Sequence, residues 1–154
     1  MQYDLCTDRL APLLFPSEFL SGYKGVLQTD GFEVYATTLR ELNTEGTCKI
    51  IHAGCMAHAR RMFVKADRSG KVGTGNARKA LGYFKKLYAI EREASEAHLD
   101  DASRLALRKE KAIPTLAEFK QWMDGLVSSV PPESLIGKAI KYTLGQWEKL
   151  DSIC

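Results

Sequence analysis

Apolar residues in the first third of the chain form two short runs separated by a helical pattern, which predicts a strand, a helix and a second strand. Residues 26–29 form a run that ends at Asp30 and Gly31, as a strand followed by a turn would. Residues 48–53 form another, which ends at Gly54. Between them, apolar residues recur at helical spacing at Phe32, Val34, Tyr35, Leu39 and Leu42. We expect two parallel strands joined by a right-handed helical crossover.

From Met56 onward the apolar residues keep a helical spacing, so the rest of the chain is predicted to be a helical array. Gly70, Gly73 and Gly75 predict a flexible connection, and Pro114 predicts a new helix or a kink. Pro131 and Pro132 separate the last helix from the one before it. The expected apolar faces contain Met56, Ala59, Phe63 and Ala66; Ala77, Leu81, Phe84, Tyr88 and Ala94; Leu105, Ile113, Leu116, Phe119, Trp122, Met123 and Leu126; and Leu135, Ile136, Ala139, Ile140, Leu144, Trp147 and Leu150.

Size and composition indicate a soluble protein. The 154 residues, 45% of them hydrophobic, suffice for one ordinary packed domain. The sequence contains no apolar stretch near the roughly 18 to 20 residues that cross a bilayer, and no secretion signal at its start. Its cysteines, at positions 6, 48, 55 and 154, are scattered without a Cys-x-x-Cys pair. Reduced thiols in the cytoplasm are therefore expected.

Positive charge is concentrated in residues 60–86, although the whole chain has a net charge of only +3. This segment has nine basic residues against one acid, Asp67. Such a local field attracts polyanions, and contacts to phosphate would make binding salt-dependent. The alternative, a solvated helix face, stays open. The candidate DNA-binding residues are Arg60, Arg61, Lys65, Arg68, Lys71, Arg78 and Lys79.

Asp30 is the sharpest candidate for chemistry, because a carboxylate at the end of a strand can bind a hard divalent cation. Parallel strands end at the same edge of a sheet, where open α/β sheets place their catalytic groups. Asp30 and the turn formed by residues 55–58 would then lie together. Asp-Gly is also a common turn dipeptide, so simple turn formation is the competing interpretation.

His52, Cys55 and His58 have side chains that bind zinc, but a structural zinc site needs four ligands and no second pair is present. His52, inside an apolar strand, is expected to be a core histidine with a hydrogen-bond partner. His58 begins a basic helix and could position a phosphate or a water molecule, or could simply cap the helix.

Four ordered blocks, which lie within residues 19–32, 52–63, 87–91 and 137–147, resemble the insertion sequence 66 family of bacterial transposases. The first consists of residues 19–20 (FL) and 22–32 (GYKGVLQTDGF). The second, residues 52–63 (HAGCMAHARRMF), is similar to the family's Gly-Cys-Trp-Ala-His-Ala-Arg-Arg stretch, with Met56 in place of tryptophan. The last two are residues 87–91 (LYAIE) and 137–142 (GKAIKY), the latter followed by Gln146 and Trp147. Together they span most of the chain.

The resemblance implies a DDE transposase with a ribonuclease H-like core, whose two aspartates and one glutamate bind Mg²⁺ or Mn²⁺. Asp30 corresponds to the second aspartate, and the pair Cys55 and His58 resembles an accessory motif. In such enzymes a metal activates water to cut the transposon end, and the freed 3′ hydroxyl attacks target DNA. The implied fold class is α/β and helix-dominated. Residues 1–67 would form a partial ribonuclease H-like core with an N-terminal arm, and residues 68–154 a helical insertion.

The first aspartate and the glutamate of the triad are not identifiable in this sequence. We therefore expect a transposase fragment that binds no metal tightly and is inactive alone. A non-enzymatic DNA-binding or dimerisation module is the alternative. Two strands with exposed edges also predict shielding, either by homodimerisation or by the N-terminal arm, residues 1–16. DNA and a second copy of the chain are the expected partners.

Overall fold

The computed structural model describes residues 20, 22–31, 33–44, 49–69 and 74–152, which form a helix-dominated α/β structure. Its elements are strand β1 (Lys24–Thr29), helix α1 (Glu33–Thr44), strand β2 (Lys49–Gly54), helices α2 (Met56–Arg68), α3 (Thr74–Glu96) and α4 (Asp101–Leu107), a π-helical segment (Arg108–Ala112), and helices α5 (Ile113–Leu126), α6 (Leu135–Gly145) and α7 (Trp147–Asp151). None of the helices in these ranges is both long and apolar enough to cross a membrane.

The chain divides into two compact units. The sheet unit contains β1, α1, β2, Cys55 and α7, and the helical unit contains α2 to α6. The predicted division between residues 67 and 68 separates a family core from an insertion, and it stays a prediction.

In the sheet unit, β1 and β2 pair in parallel, which confirms the predicted order of strand, helix and strand. The register pairs Leu27 with His52 and Thr29 with Gly54. The apolar residues between the sheet and α1 form a core because α1 covers one face of the strands. The buried members of this core are Leu20, Leu27, Leu39, Leu42 and Ile50, with Tyr23 packed against them.

The helical unit is built around aromatic side chains. Phe63 of α2 lies 5.8 Å from Phe84 of α3 between ring centroids, and Phe84 lies 5.3 Å from Phe119 of α5. All three are essentially inaccessible to water. The predicted apolar face of α2 is confirmed, since Ala59, Phe63 and Ala66 are its buried residues.

Two sequence expectations for the middle helices are wrong. Gly75 lies inside α3 and not in a connection, while Gly70 and Gly73 fall outside the described residues. Leu105 and Ile113, assigned to one apolar face, are 42% and 43% exposed. The cause is the π-helical segment, in which the N–H of Ile113 donates to the carbonyl of Arg108, five residues earlier. The wider turn rotates the residues on either side of it relative to a regular helix.

The predicted last helix is divided at Gln146. This residue leaves helical geometry, with φ −104° and ψ 8°, so that α6 and α7 are separate helices. The preceding Gly145 makes such a break inexpensive, because glycine favours the helix poorly. In the sheet unit, α7 packs against β2, and Leu150 approaches Gly54 so closely that a Cβ on that glycine would lie 3.0 Å from Cδ2 of the leucine.

Candidate functional site

Asp30 and Cys55 occupy equivalent positions at the carboxyl ends of the two strands. Asp30 directly follows β1 and is half-buried, and Cys55 directly follows β2. Because Thr29 and Gly54 are paired in the register, both residues leave the sheet at the same edge. The expected geometry is therefore confirmed for this pair, while their chemical roles stay a prediction.

A hydrogen-bonded turn fixes the backbone around Asp30. The N–H of Gly31 donates to Oγ1 of Thr29 over 3.4 Å. Gly31 has φ +86°, a left-handed conformation that glycine adopts without a steric penalty. Asp30 is therefore enclosed by a side-chain-to-backbone bond between Thr29 and Gly31. Turn formation and metal binding are compatible at this position.

The same hydroxyl of Thr29 joins β1 to β2, since Oγ1 lies 2.7 Å from Nε2 of His52. Thr29 is only 3% exposed, so this bond satisfies a polar group that water hardly reaches. Burial lowers the pKa of His52, and the ammonium of Lys149 on α7 lowers it further. A neutral ring can accept the hydroxyl proton at Nε2 in one tautomer and donate to the hydroxyl oxygen in the other. The prediction that His52 has a hydrogen-bond partner is confirmed, whereas its expected place in the core is wrong, because the residue is only half-buried.

The remaining accessory residues differ in their surroundings. Cys55 is a buried free thiol. His58 lies in the first turn of α2, is half-buried, and belongs to the helical unit. The other three cysteines fall outside the described residues.

The donor set fits Mg²⁺ only in part. Asp30 supplies the hard oxygen ligand that this ion prefers, whereas a thiol and an imidazole suit softer metals. In the part of the chain that the structure describes, no group of three or more His, Cys, Asp or Glu side chains could hold a metal.

The candidate DNA-binding side chains are exposed on two helices of the helical unit. On α2 these are Arg60, Arg61, Lys65 and Arg68, and on α3 they are Arg78 and Lys79. The only acid of the basic segment is engaged within it, because Nε of Arg78 donates to Oδ1 of Asp67 over 2.9 Å. Lys71 lies outside the described residues.

Two residues of the sheet unit were not predicted from the sequence. Thr29 is a polar residue in an apolar run directly before Asp30, and that position was the available signal. Nothing in the sequence indicated Lys149, because its effect on His52 depends on the break between α6 and α7 at Gln146.

Comparison with known proteins decides the family. The family model described as "Transposase IS66 family" matches residues 3–154, nearly the whole chain. The chain belongs to the IS66 family of transposases. This confirms the resemblance found in the four sequence blocks.

Three relatives come from Sinorhizobium fredii (strain NBRC 101917 / NGR234) and are named as uncharacterized proteins. Protein y4jD is 32% identical over 133 residues, which cover 86% of this chain and 25% of the relative. Protein y4hP is 32% identical over 146 residues, with 86% and 25% covered. Protein y4qI is 31% identical over 133 residues, with 86% and 24% covered. This chain thus spans about a quarter of the length of the curated relatives that it matches. No solved structure matches it significantly.

Proposed function

We propose that this chain supplies Asp30 as the second metal-binding aspartate of a DDE transposase with a ribonuclease H-like core. The single observation that carries the proposal is the parallel register, which brings Asp30 and Cys55 to one sheet edge. Membership of the IS66 family supports the same role. Part of a ribonuclease H-like sheet requires a strand, a helix and a parallel strand, with the carboxylate directly after the first strand.

In this proposal each candidate residue has a limited task. Asp30 would hold a divalent metal, which when bound would supply an activated water and stabilise charge on the phosphate. Asp30 contributes one carboxylate ligand, and the turn through Gly31 keeps that ligand in place. His52 acts through Thr29 as a positioning residue. Cys55 occupies the buried position directly after β2. His58 orients a phosphate or a water at the start of α2.

DNA is the proposed partner, bound through the exposed basic residues of α2 and α3. A non-enzymatic DNA-binding or dimerisation module is the second candidate. It is favoured by Val26 and Ile51, which are register partners and remain 48% and 55% exposed. Parallel sheets normally have both faces covered, so these side chains suit a second copy of the chain. The free thiol of Cys55 accords with the proposed bacterial cytoplasm.

Metal titration followed by NMR tests the role of Asp30. We expect millimolar Mg²⁺ to shift the amide signals of Gly31 and Cys55, and traces of Mn²⁺ to broaden them. Asp30→Asn should abolish both effects, because a neutral amide binds a hard cation far more weakly than a carboxylate does.

Glu41→Gln is the matched control, since Glu41 is an exposed acid on α1 of the same unit. It should leave the metal response unchanged. An absent response, or one that persists in Asp30→Asn, would sink the metal-binding role and favour the non-enzymatic module.

A further inference from the structure

We propose that one exposed face of α3 contacts the backbone of duplex DNA, as a surface additional to the basic face of α2. This α3 face consists of Gly75, Lys79, Gly82 and Lys86. The inference rests on the proposed DNA-binding function and names a surface for it. Three features support this contact: the charge of the helix, its glycines and the aromatic rings beneath its lysines.

The charge on this part of α3 has one sign. Residues 74–90 contain Arg78, Lys79, Lys85 and Lys86 and no acid. All four basic residues are exposed. The first acids further along α3 are engaged elsewhere, because Glu91 accepts from Arg108 at 2.6 Å and Glu93 accepts from Lys111 at 2.6 Å. The α3 face therefore presents positive charge that a phosphate backbone complements.

Glycines open the surface between the lysines. Residues 75, 79, 82 and 86 follow each other by four, three and four positions, so they line one side of the helix. A Cβ at Gly75 or Gly82 would meet no atom of the described residues within 4 Å, so their packing does not require either glycine. Each costs about 0.5–1 kcal/mol of helix stability relative to alanine. Without side chains there, a phosphate backbone can approach the helix while the lysines reach around it.

Aromatic rings hold two of the lysine head groups in place. Nζ of Lys79 lies 5.4 Å from the ring centroid of Trp122, and Nζ of Lys86 lies 5.5 Å from that of Tyr83. Such cation–π contacts reduce the side-chain freedom that binding would otherwise remove. The ammonium groups are thus partly ordered before DNA arrives.

The same rings argue for duplex over single-stranded DNA. Tyr83 and Trp122 are both stacked with the buried Phe119, at centroid distances of 4.9 Å and 6.1 Å. Proteins that bind single strands offer open ring faces on which bases stack. Here a base would compete with Phe119 and with the lysines, so phosphates are the better ligands.

Fluorescence anisotropy with a labelled DNA duplex tests the charge of the α3 face. Lys79→Gln/Lys86→Gln should weaken binding about tenfold or more, and should lower the slope of log K against log salt by about 2. Lys109→Gln/Lys141→Gln removes the same charge from exposed lysines of the π-helical segment and α6, and should change binding far less. Equal losses in the two double variants would overturn the proposal.

Gly82→Gln tests the close approach. The added side chain should raise helix stability and yet weaken duplex binding severalfold, a combination that misfolding cannot produce. Gly125→Gln is its control, because Gly125 is an exposed helical glycine of α5 with equally open surroundings. It should leave binding unchanged. Unaltered binding by Gly82→Gln would overturn the proposal.

Charge reversal at Arg60, Arg61 and Lys65 separates this inference from the function on which it rests. If the chain binds duplex DNA and only the α2 reversal weakens binding, the α3 face is wrong while DNA remains the partner in the proposed function. If no salt-sensitive duplex binding is found, the proposed DNA contact fails and the inference fails with it. Tighter binding to a single strand than to the duplex would overturn the α3 face alone.

Discussion

The hydroxyl of Thr29 bonds to two residues at once. It accepts from Gly31 and bonds to His52, and Asp30 follows Thr29 directly in the chain. A buried polar group that loses one of its partners destabilises the fold, so each of these residues constrains the others. The sequence could indicate that Asp30 ends a strand and that His52 is a satisfied histidine. It could not indicate that one threonine joins them, because the bond depends on the strand register.

The titration of His52 gives a prediction for stability against pH. Burial and Lys149 lower the pKa of His52, so the unfolded chain takes up a proton more readily than the folded one. Stability should therefore be fully present above the unfolded pKa of about 6.5 and be lost as the pH falls through the lowered folded pKa. The His52→Gln variant should lack this pH-dependent part of the stability. Urea unfolding followed by circular dichroism between about pH 5 and pH 8 would measure it.

The control for this experiment is His98→Gln, which alters an exposed histidine of the helical unit. The stability of this variant should follow the wild-type pH dependence. If His52→Gln also follows it, then His52 is not the group that links folding to acid pH.

Among the elements, helix positions were predictable and helix interruptions were not. Apolar spacing located α2 because Ala59, Phe63 and Ala66 repeat regularly. Pro114 signalled a disturbance, and α-helical geometry does restart at Ile113 with the proline in its first turn. The π-helical segment before it depends on tertiary contacts that no local pattern contains. Among them, Nε and Nη2 of Arg108 donate to the two carboxylate oxygens of Glu91, at 2.6 Å and 2.9 Å.

Gly137 marks a close contact that the sequence did not reveal. A Cβ on this buried glycine of α6 would overlap the carbonyl oxygen of Pro131 and lie 3.0 Å from Cα of Pro132. Both neighbours are backbone atoms of prolines, whose rings fix φ and prevent easy adjustment. We expect Gly137→Ala to lower the free energy of unfolding by about 2 kcal/mol or more, measured by urea denaturation.

Gly125→Ala provides the opposite case, because that glycine is exposed and its Cβ would meet nothing within 4 Å. It should raise the free energy of unfolding by about 0.5–1 kcal/mol. A Gly137→Ala variant as stable as the wild type would contradict the proposed contact with Pro131.

At the scale of the whole molecule, the sheet unit has an exposed apolar surface, whereas part of the free edge of β2 is protected. The amide of Asn43 bonds to both backbone groups of Ile50, with its Nδ2 donating at 2.8 Å and its Oδ1 accepting at 2.9 Å. This side chain therefore occupies part of the edge of β2 that β1 does not use. Val26 and Ile51 have no comparable cover. Strand periodicity predicted that two strands would need shielding, but not which surface would remain open.

We expect the chain to homodimerise through Val26 and Ile51. Burying two neighbouring β-branched side chains removes apolar area from water, at roughly 25 cal/mol per Å², whereas a lysine at either position would need its charge desolvated. In sedimentation velocity, the wild-type chain should shift from monomer to dimer with rising concentration. Val26→Lys/Ile51→Lys should weaken this association at least about tenfold without altering the helical circular dichroism signal. The control is Leu105→Lys, at an exposed leucine of the helical unit, which should dimerise normally. A wild-type chain that stays monomeric at every concentration would contradict the interface.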